Sequence, residues 1–393
     1  MTYAAQRVCY DADSHIMELP DFLQKFADPG LRADMPAVSY AASIVTDEEV
    51  AEIVARGGRH SEAHIAELLA LGDGLIARSK EIQALGAFDG KERARAMDMF
   101  GFKRQLVFAT HSVAMPFSAS SKVDPALRYG GARAHNRHMA AFCEGDARLM
   151  GVAICPLDDI ERAIAELDWI LTQPSLKAVW IPHRPFGERS PGHVALDPFW
   201  ARLAEAGVPF VLHVGGAPLN VARDWRDNGG PPTKDWLGGG ENLRTKDIAL
   251  LHQLPEAFLS MLILDGVLNR HPKLRGAAVE LGAGWVPEMV SRLDWVVRHW
   301  SRNDENLQAL KRKPSEQIRD QLAFTPFVFE EVGAFIDRSD ANLYLFSSDY
   351  PHIEGGRDPI GRFEKALGAR SDAIRAQFYA ENFLRIFPDA RVH

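Results

Sequence analysis

Short apolar runs, most of them leading into segments of helical period, recur along the 393-residue chain. The runs that read as strands are Arg7–Asp13, Gln105–Ala109, Met150–Cys155, Ala178–Ile181, Pro209–Val214, Gly276–Glu280, Gln321–Phe324 and Leu343–Ser347. They are mostly apolar rather than alternating, as expected for strands of a parallel sheet covered on both faces. Between them, Asp158–Gln173 has an acidic start and apolar residues near a 3.6 spacing, and Pro174 stops it. Asp197–Gly207 places Asp197 at the cap, Pro198 at the first helical position and Gly207 just past the end. Trp285–Asn303 and Pro359–Phe387 carry similar patterns. Eight strands with helical crossovers is the count of a (β/α)8 TIM barrel, and a doubly wound open sheet is the competing architecture. Two segments exceed the minimal alternation. Met35–Arg95 reads as a helical insertion after the first strand, and Gly215–Asp247 as a long Gly- and Trp-rich loop after the fifth. A loop of that length is usually functional or disordered, and Trp225 and Trp236 argue for function, as a lid over a substrate. With no internal repeat and no linker between cores, residues 1–393 read as one domain with an insertion at about 35–95.

Composition narrows the classes of partner. Net charge is 45 − 53 = −8, so there is no basic field to hold a polyanion and no nucleic acid is expected. Hydrophobic content of 46% with 25% charged residues is that of an ordinary globule. Cys9, Cys143 and Cys155 are too few and too scattered for a disulfide framework or a cysteine-based zinc module. The N-terminal segment meets acidic residues before any apolar signal region forms, and the apolar run at Ala257 is interrupted by Asp265. A cytoplasmic protein without a membrane segment is the expectation.

The candidate chemistry lies in what ends each strand. Active sites of α/β barrels sit at the carboxyl ends of the strands. Here those ends carry Asp13 and His15, Thr110 and His111, His183 and Arg184, His213, Glu280, and Asp349 with His352. Asp13 and His15 are two apart on one strand and so point the same way. His, Asp and Glu without Cys form an N/O ligand set suited to Zn²⁺, Mn²⁺ or Fe²⁺.

The motifs YDADSHIMEL at Tyr10, PFVLHVGG at Pro209, RHPKLRGAAVELGAGWVPEMVSRLDW at Arg270, FSSDYPHIEGG at Phe346 and ENFLRIF at Glu381 span nearly the whole chain. In order and spacing it resembles the amidohydrolase superfamily, in the amidohydrolase-related branch that includes aminocarboxymuconate-semialdehyde decarboxylase and the metal-dependent aromatic acid decarboxylases. The resemblance implies metal ligation by Asp13, His15, His213 and Asp349. Two positions depart from the family pattern. Asp13 stands where a His is commoner, which brings Mn²⁺ or Fe²⁺ into competition with Zn²⁺. Glu280 stands where the muconate-semialdehyde decarboxylase has a catalytic His. His183, where binuclear relatives place a bridging ligand, keeps a second ion open, although one ion, with zinc first, is the expectation.

Asp349, Glu280, His183 and His352 are therefore the candidate catalytic residues, and Arg184, His111, Trp225 and Trp236 the candidate substrate-binding ones. Close to a cation, Asp349 is expected to begin the cycle as a base. The leading functional expectation is hydrolysis of an amide, ester or lactone of a small molecule through a metal-activated water. The alternatives are decarboxylation of an unsaturated or aromatic carboxylic acid, binuclear iron chemistry, and a catalytically silent scaffold subunit. Relatives are commonly dimers, so a homodimer is expected.

Overall fold

A computed structural model describes residues 1–390 apart from 6, 42, 121, 187–188, 219–220 and 231–244. Seven strands form one sheet: β1 (Tyr10–Asp11), β2 (Arg104–Val107), β3 (Leu149–Ile154), β4 (Leu176–Trp180), β5 (Phe210–His213), β6 (Gly276–Val279) and β7 (Leu322–Phe324). They are hydrogen-bonded in sequence order and every pairing is parallel. Strands β3, β5, β6 and β7 are buried at every position, the pattern expected when helices cover one face and the other lines a barrel interior. The result is a TIM-barrel-like α/β fold.

The eighth expected run, Leu343–Ser347, is not a strand. Ala341–Leu343 is a 3-10 turn, and the residues after it make isolated bridges, Tyr344 to Phe324 and Tyr350 to Ser14. The segment still ties β7 to the start of the chain: the Leu345 amide donates to Phe324 O, and Phe346 O accepts from the Ala12 amide. Beyond this segment Asp349 adopts a left-handed backbone, φ 52°.

Between β1 and β2 the chain forms helices Asp47–Ala55, Glu62–Ala70, Leu75–Arg78 and Gly90–Phe100. The first opens with a capping box of Thr46 and Glu49, and the last is capped by Asp89 at its start and by left-handed Gly101 at its end. Helix Asp197–Ala206 ends at left-handed Gly207, as its sequence predicts, while Asp197 lies inside the first turn and pairs with Arg270 and His271. Trp285–Asn303 becomes an α-helix, Val286–Trp300, with a 3-10 turn behind it, and Pro359–Phe387 is broken at Gly368 into shorter pieces. Among the described residues one run, Lys246–Leu264, has the length and apolarity to cross a bilayer. It is divided at Leu251–His252, and its Phe258, Leu259, Leu262 and Ile263 pack into the core.

Candidate metal centre

The polar strand ends meet at one point. Asp13 Oδ1 lies 3.3 Å from His15 Nε2 and 3.4 Å from His213 Nε2, and Glu280 Oε2 lies 3.2 Å from His213 Nε2 and 4.0 Å from His15 Nε2. Asp349 Oδ1 is 3.7 Å from His15 Nε2. Two ligands each about 2.1 Å from a cation sit about 3.0 Å apart at a right angle and about 3.4 Å apart at the tetrahedral angle. The observed separations match those of donors sharing one ion.

Hydrogen bonding points the same way. His15 Nδ1 faces Ala109 O at 3.0 Å and His213 Nδ1 faces Val214 O at 2.9 Å. A carbonyl only accepts, so each Nδ1 carries the proton and the neutral imidazole turns its Nε2 lone pair to the centre. Asp13 Oδ1, His15 Nε2 and Asp349 Oδ1 are buried without a hydrogen-bond partner. Such atoms cost stability unless something else satisfies them. The donor set fits a divalent metal ion.

Electrostatics sort the roles. Burial alone raises the Asp13 carboxyl, but the His213 and His15 imidazoles more than offset that and hold it well below the usual carboxylate range. Burial, and after it the neighbouring His352, push His15 down to about 4, so it stays neutral. Asp349 moves the other way: burial and then the Asp13 charge raise it to about 7. Its partner is His352, whose Nδ1 lies 3.0 Å from Asp349 Oδ1. Thr110 Oγ1 donates to Ile16 O at 2.7 Å, so towards His352 Nε2 at 3.0 Å it can only accept. His352 Nε2 therefore holds a hydrogen, and Nδ1 presents a lone pair to Asp349. Of the two, the Asp349 carboxyl, raised to about 7, is the one that can carry a further proton near neutral pH, since burial pushes His352 down to about 4. With no cation beside it, the Asp349 carboxyl is thus raised towards its protonated form, because it is buried beside another carboxylate.

Backbone conformation aims both distal carboxylates. Glu280 and Asp349 are non-glycine residues with φ of 53° and 52°. That conformation costs about 1–3 kcal/mol each and persists where surroundings enforce it. The Glu280 amide donates to Thr325 Oγ1 at 2.9 Å and the Asp349 amide to Asp13 O at 2.9 Å. Glu280 does not cap the following helix. Glu330 accepts from the amides of Ala283 and Gly284, in the turn before that helix, and of Phe327, while the helix itself has no side-chain cap.

Several residues that the motifs do not single out hold this arrangement. Asp11 accepts from Ser348 N, Ser348 Oγ and Gln105 Nε2, joining β1 to the segment that carries Asp349. Arg93, fully buried on helix Gly90–Phe100, donates to Gly86 O, Ser14 Oγ, Gln105 Oε1 and His15 O. Glu18 collects the amides of Thr110, His111 and Ser112 and so shapes the loop after β2. For Glu18 a charge inside an apolar stretch was the available signal, whereas Asp11 and Arg93 stand among other charged residues, and none of the three says which partner lies across the fold.

Other expected residues fall away from the centre. Arg184 grips Asp158 through both carboxylate oxygens, at 3.0 and 2.9 Å, and donates to the carbonyls of Phe117, Pro185 and Ser118. Its donors are spent inside the protein, so it is no substrate clamp. Trp225 is 71% exposed. Trp236 lies outside the described residues. His111 packs edge-on against Tyr40, with ring centroids 4.8 Å apart, in the wall beside Thr110. His183 is buried, and burial followed by His213 pushes it down to about 3, but it does not join the potential ligand atoms. His352 is brought to Asp349, as expected.

Comparison with known proteins agrees with this reading of the fold. Residues 12–388 match the amidohydrolase family, and the chain belongs to it. It is accordingly an enzyme of hydrolase or carboxy-lyase type. Among curated proteins none matches the sequence. An amidohydrolase from Mycobacterium avium subsp. paratuberculosis K-10 is 23% identical with a TM-score of 0.72, covering 98% of this chain and 100% of its own. The 5-carboxyvanillate decarboxylase of Novosphingobium aromaticivorans, complexed with manganese and 4-hydroxy-3-methoxy-5-nitrobenzoic acid, is 16% identical with a TM-score of 0.62, covering 98% of each chain. A 2,6-dihydroxybenzoate decarboxylase complexed with 2,6-dihydroxybenzoate is 18% identical with a TM-score of 0.60, covering 98% of this chain and 100% of its own.

Proposed function

We propose that this protein is a metal-dependent decarboxylase of a small aromatic or unsaturated carboxylic acid, with Asp13, His15, His213, Glu280 and Asp349 around one ion. The observation that carries the proposal is the buried Asp349 carboxyl at the edge of the ligand cluster, raised to about 7 by burial and by Asp13, with His352 Nδ1 3.0 Å from its Oδ1. Decarboxylation needs an acid beside the carbon that loses CO2, whereas hydrolysis starts from a base. A bound divalent cation would supply positive charge to hold the substrate carboxylate and a neighbouring oxygen. Asp349, sharing its proton with His352 in this reading, gives it to the carbon bearing the carboxylate. The bond from that carbon to the carboxyl carbon then breaks, its electron pair restores the substrate's double bond as CO2 leaves, and the Asp349 carboxylate takes a new proton from solvent.

Two further features support the reading. Three carboxylates against two imidazoles make an oxygen-rich set, which favours Mn²⁺ over the zinc expected first. The fold neighbours that act on hydroxylated benzoic acids point in the same direction. Hydrolysis, towards which the sequence leaned, is the second reading, with Glu280 as its base. Incubating the Mn²⁺-loaded protein with hydroxybenzoic acids on one side and amides, esters and lactones on the other separates the two. Release of CO2 in step with loss of an acid is expected. Turnover confined to the amides, esters or lactones would overturn the decarboxylase.

Metal affinity carries its own pH signature. His15 is held neutral down to about 4, so its Nε2 stays available to a cation through the neutral range. Affinity for Mn²⁺ is therefore expected to hold between pH 8 and 5 and to fall as pH drops towards 4, where His15 takes a proton. Titration calorimetry between pH 4 and 8 checks this, and a fall centred near 7 would show that the cation displaces the Asp349 proton and would remove Asp349 as the acid.

A further inference from the structure

Three consecutive residues between helices Leu75–Arg78 and Gly90–Phe100 grip the stretch that follows Asp349. The Leu85 amide donates to Ser79 Oγ at 2.9 Å and Tyr350 Oη donates to Leu85 O at 2.9 Å. The Ser79 hydroxyl is therefore left to donate to Tyr350 Oη, at 2.9 Å. Lys80 Nζ donates to His352 O at 3.0 Å and the Glu81 amide to Pro351 O at 3.0 Å, while Glu81 Oε1 accepts from the Ile353 amide at 2.9 Å. The last three bonds all go to the two peptide groups on either side of His352.

The grip is built at a cost. Glu81 is a non-glycine residue with φ 56°, a strained conformation that persists where its surroundings enforce it. Burial pushes the Lys80 ammonium down to about 8, a cost that a neutral residue in the same place would not carry. Burial, followed by Glu354, raises the Glu81 carboxyl to about 8, so its bond to Ile353 needs no charge near neutral pH. What these bonds fix is the direction of one side chain. The His352 imidazole stacks on His15 with ring centroids 4.1 Å apart, and its nitrogens lie 3.0 Å from Asp349 Oδ1 and 3.0 Å from Thr110 Oγ1. A side chain follows its backbone, and a catalytic contact tolerates only about 0.5 Å of drift.

We propose that Lys80 and Glu81 are positioning residues for the proton step, a clasp that fixes the peptide groups on both sides of His352 and so holds its imidazole on Asp349. This rests on the decarboxylase reading above for the step that is served, but not for the hold on His352.

Two measurements separate these. The first follows the imidazole nitrogens by NMR at neutral pH in the protein loaded with Zn²⁺, which is diamagnetic, with His352→Gln identifying the signals of His352. Wild type is expected to show the single tautomer protonated at Nε2. Glu81→Gly relieves the backbone strain but removes the acceptor for Ile353, and Lys80→Met removes the donor to His352 O. In both, the two nitrogen signals are expected to move together as the ring exchanges between tautomers, whereas Glu81→Gln, whose amide oxygen still accepts, keeps the wild-type pattern. Signals unchanged in both variants, or equally disturbed in Glu81→Gln, overturn the clasp. The second measurement is kinetic. For an acid that releases CO2, kcat is expected to fall about tenfold in Glu81→Gly and in Lys80→Met, with KM and Mn²⁺ affinity within about twofold of wild type. Adding Glu81→Gly to His352→Gln is expected to cost nothing further, because the clasp acts through His352. Additive losses, or a loss of Mn²⁺ affinity that matches the loss of kcat, overturn the positioning role. If the tautomer signals change as expected but no acid loses CO2, the hold on His352 stands and the decarboxylase reading falls.

Discussion

Replacing His213 with alanine is expected to lower metal affinity by more than about 100-fold, since loss of mere supporting partners of a metal ligand already costs about 10–100-fold. His213 is the residue on which the cluster turns. Its Nε2 lies 3.4 Å from Asp13 and 3.2 Å from Glu280, and its Nδ1 is locked on Val214 O, so the ring is aimed before any ion arrives. Without the imidazole, the Asp13 and Glu280 carboxylates face each other with less to hold them, and Asp13 loses the largest of the influences that keep it ionised. The alanine leaves an imidazole-sized gap, so added imidazole is expected to restore part of the affinity. Elemental analysis after gel filtration, with Mn²⁺ calorimetry in the presence and absence of imidazole, reads both effects. An alanine variant that retains one equivalent of metal at unchanged affinity would show that the cluster is not a metal centre.

The second large effect concerns the proton. Asp349→Asn keeps the shape of the side chain but removes the carboxyl that shares a proton with His352. Loss of a positioned acid costs about 10²–10⁴ in rate, and a fall in kcat of that size is expected for CO2 release from whichever acid the enzyme accepts. His352→Gln is expected to cost less, because the carboxyl remains and only its support through Thr110 is lost. The pH profile distinguishes an acid from a ligand: the wild-type rate should decline as pH rises and the shared proton is lost, while the residual rate of the Asn variant should not follow that limb. If Asp349→Asn keeps kcat within about fivefold of wild type, the proton comes from elsewhere.

The two results are separable. A His213 variant that loses metal shows only that an ion is needed, and an Asp349 variant that keeps its metal but loses turnover isolates the proton step. The left-handed backbone at both Glu280 and Asp349 makes this separation physically plain. The fold spends strain to turn two carboxylates inward, and it anchors them to different partners, Thr325 and Asp13. They are not interchangeable copies of one function.

Much of this protein was written locally. The apolar runs with polar ends, the Pro and Gly punctuation of helix Asp197–Ala206 and the two-residue spacing of Asp13 and His15 are properties of short windows, and they sufficed for a parallel α/β barrel with His, Asp and Glu at one rim. The tertiary structure alone decided what depends on distance between residues far apart in the chain. It put Glu280 nearer to His213 than Asp349 is to His15, spent Arg184 on Asp158, left Trp225 at the surface and turned the lone pair of His352 towards Asp349. It also replaced the eighth strand by isolated bridges, with the apolar run Leu343–Ser347 beginning in a 3-10 turn rather than a ladder. A window of sequence records which groups are polar. Which of them meet, and which of them holds the proton, is set by the curvature of the sheet and by the burial that follows from it.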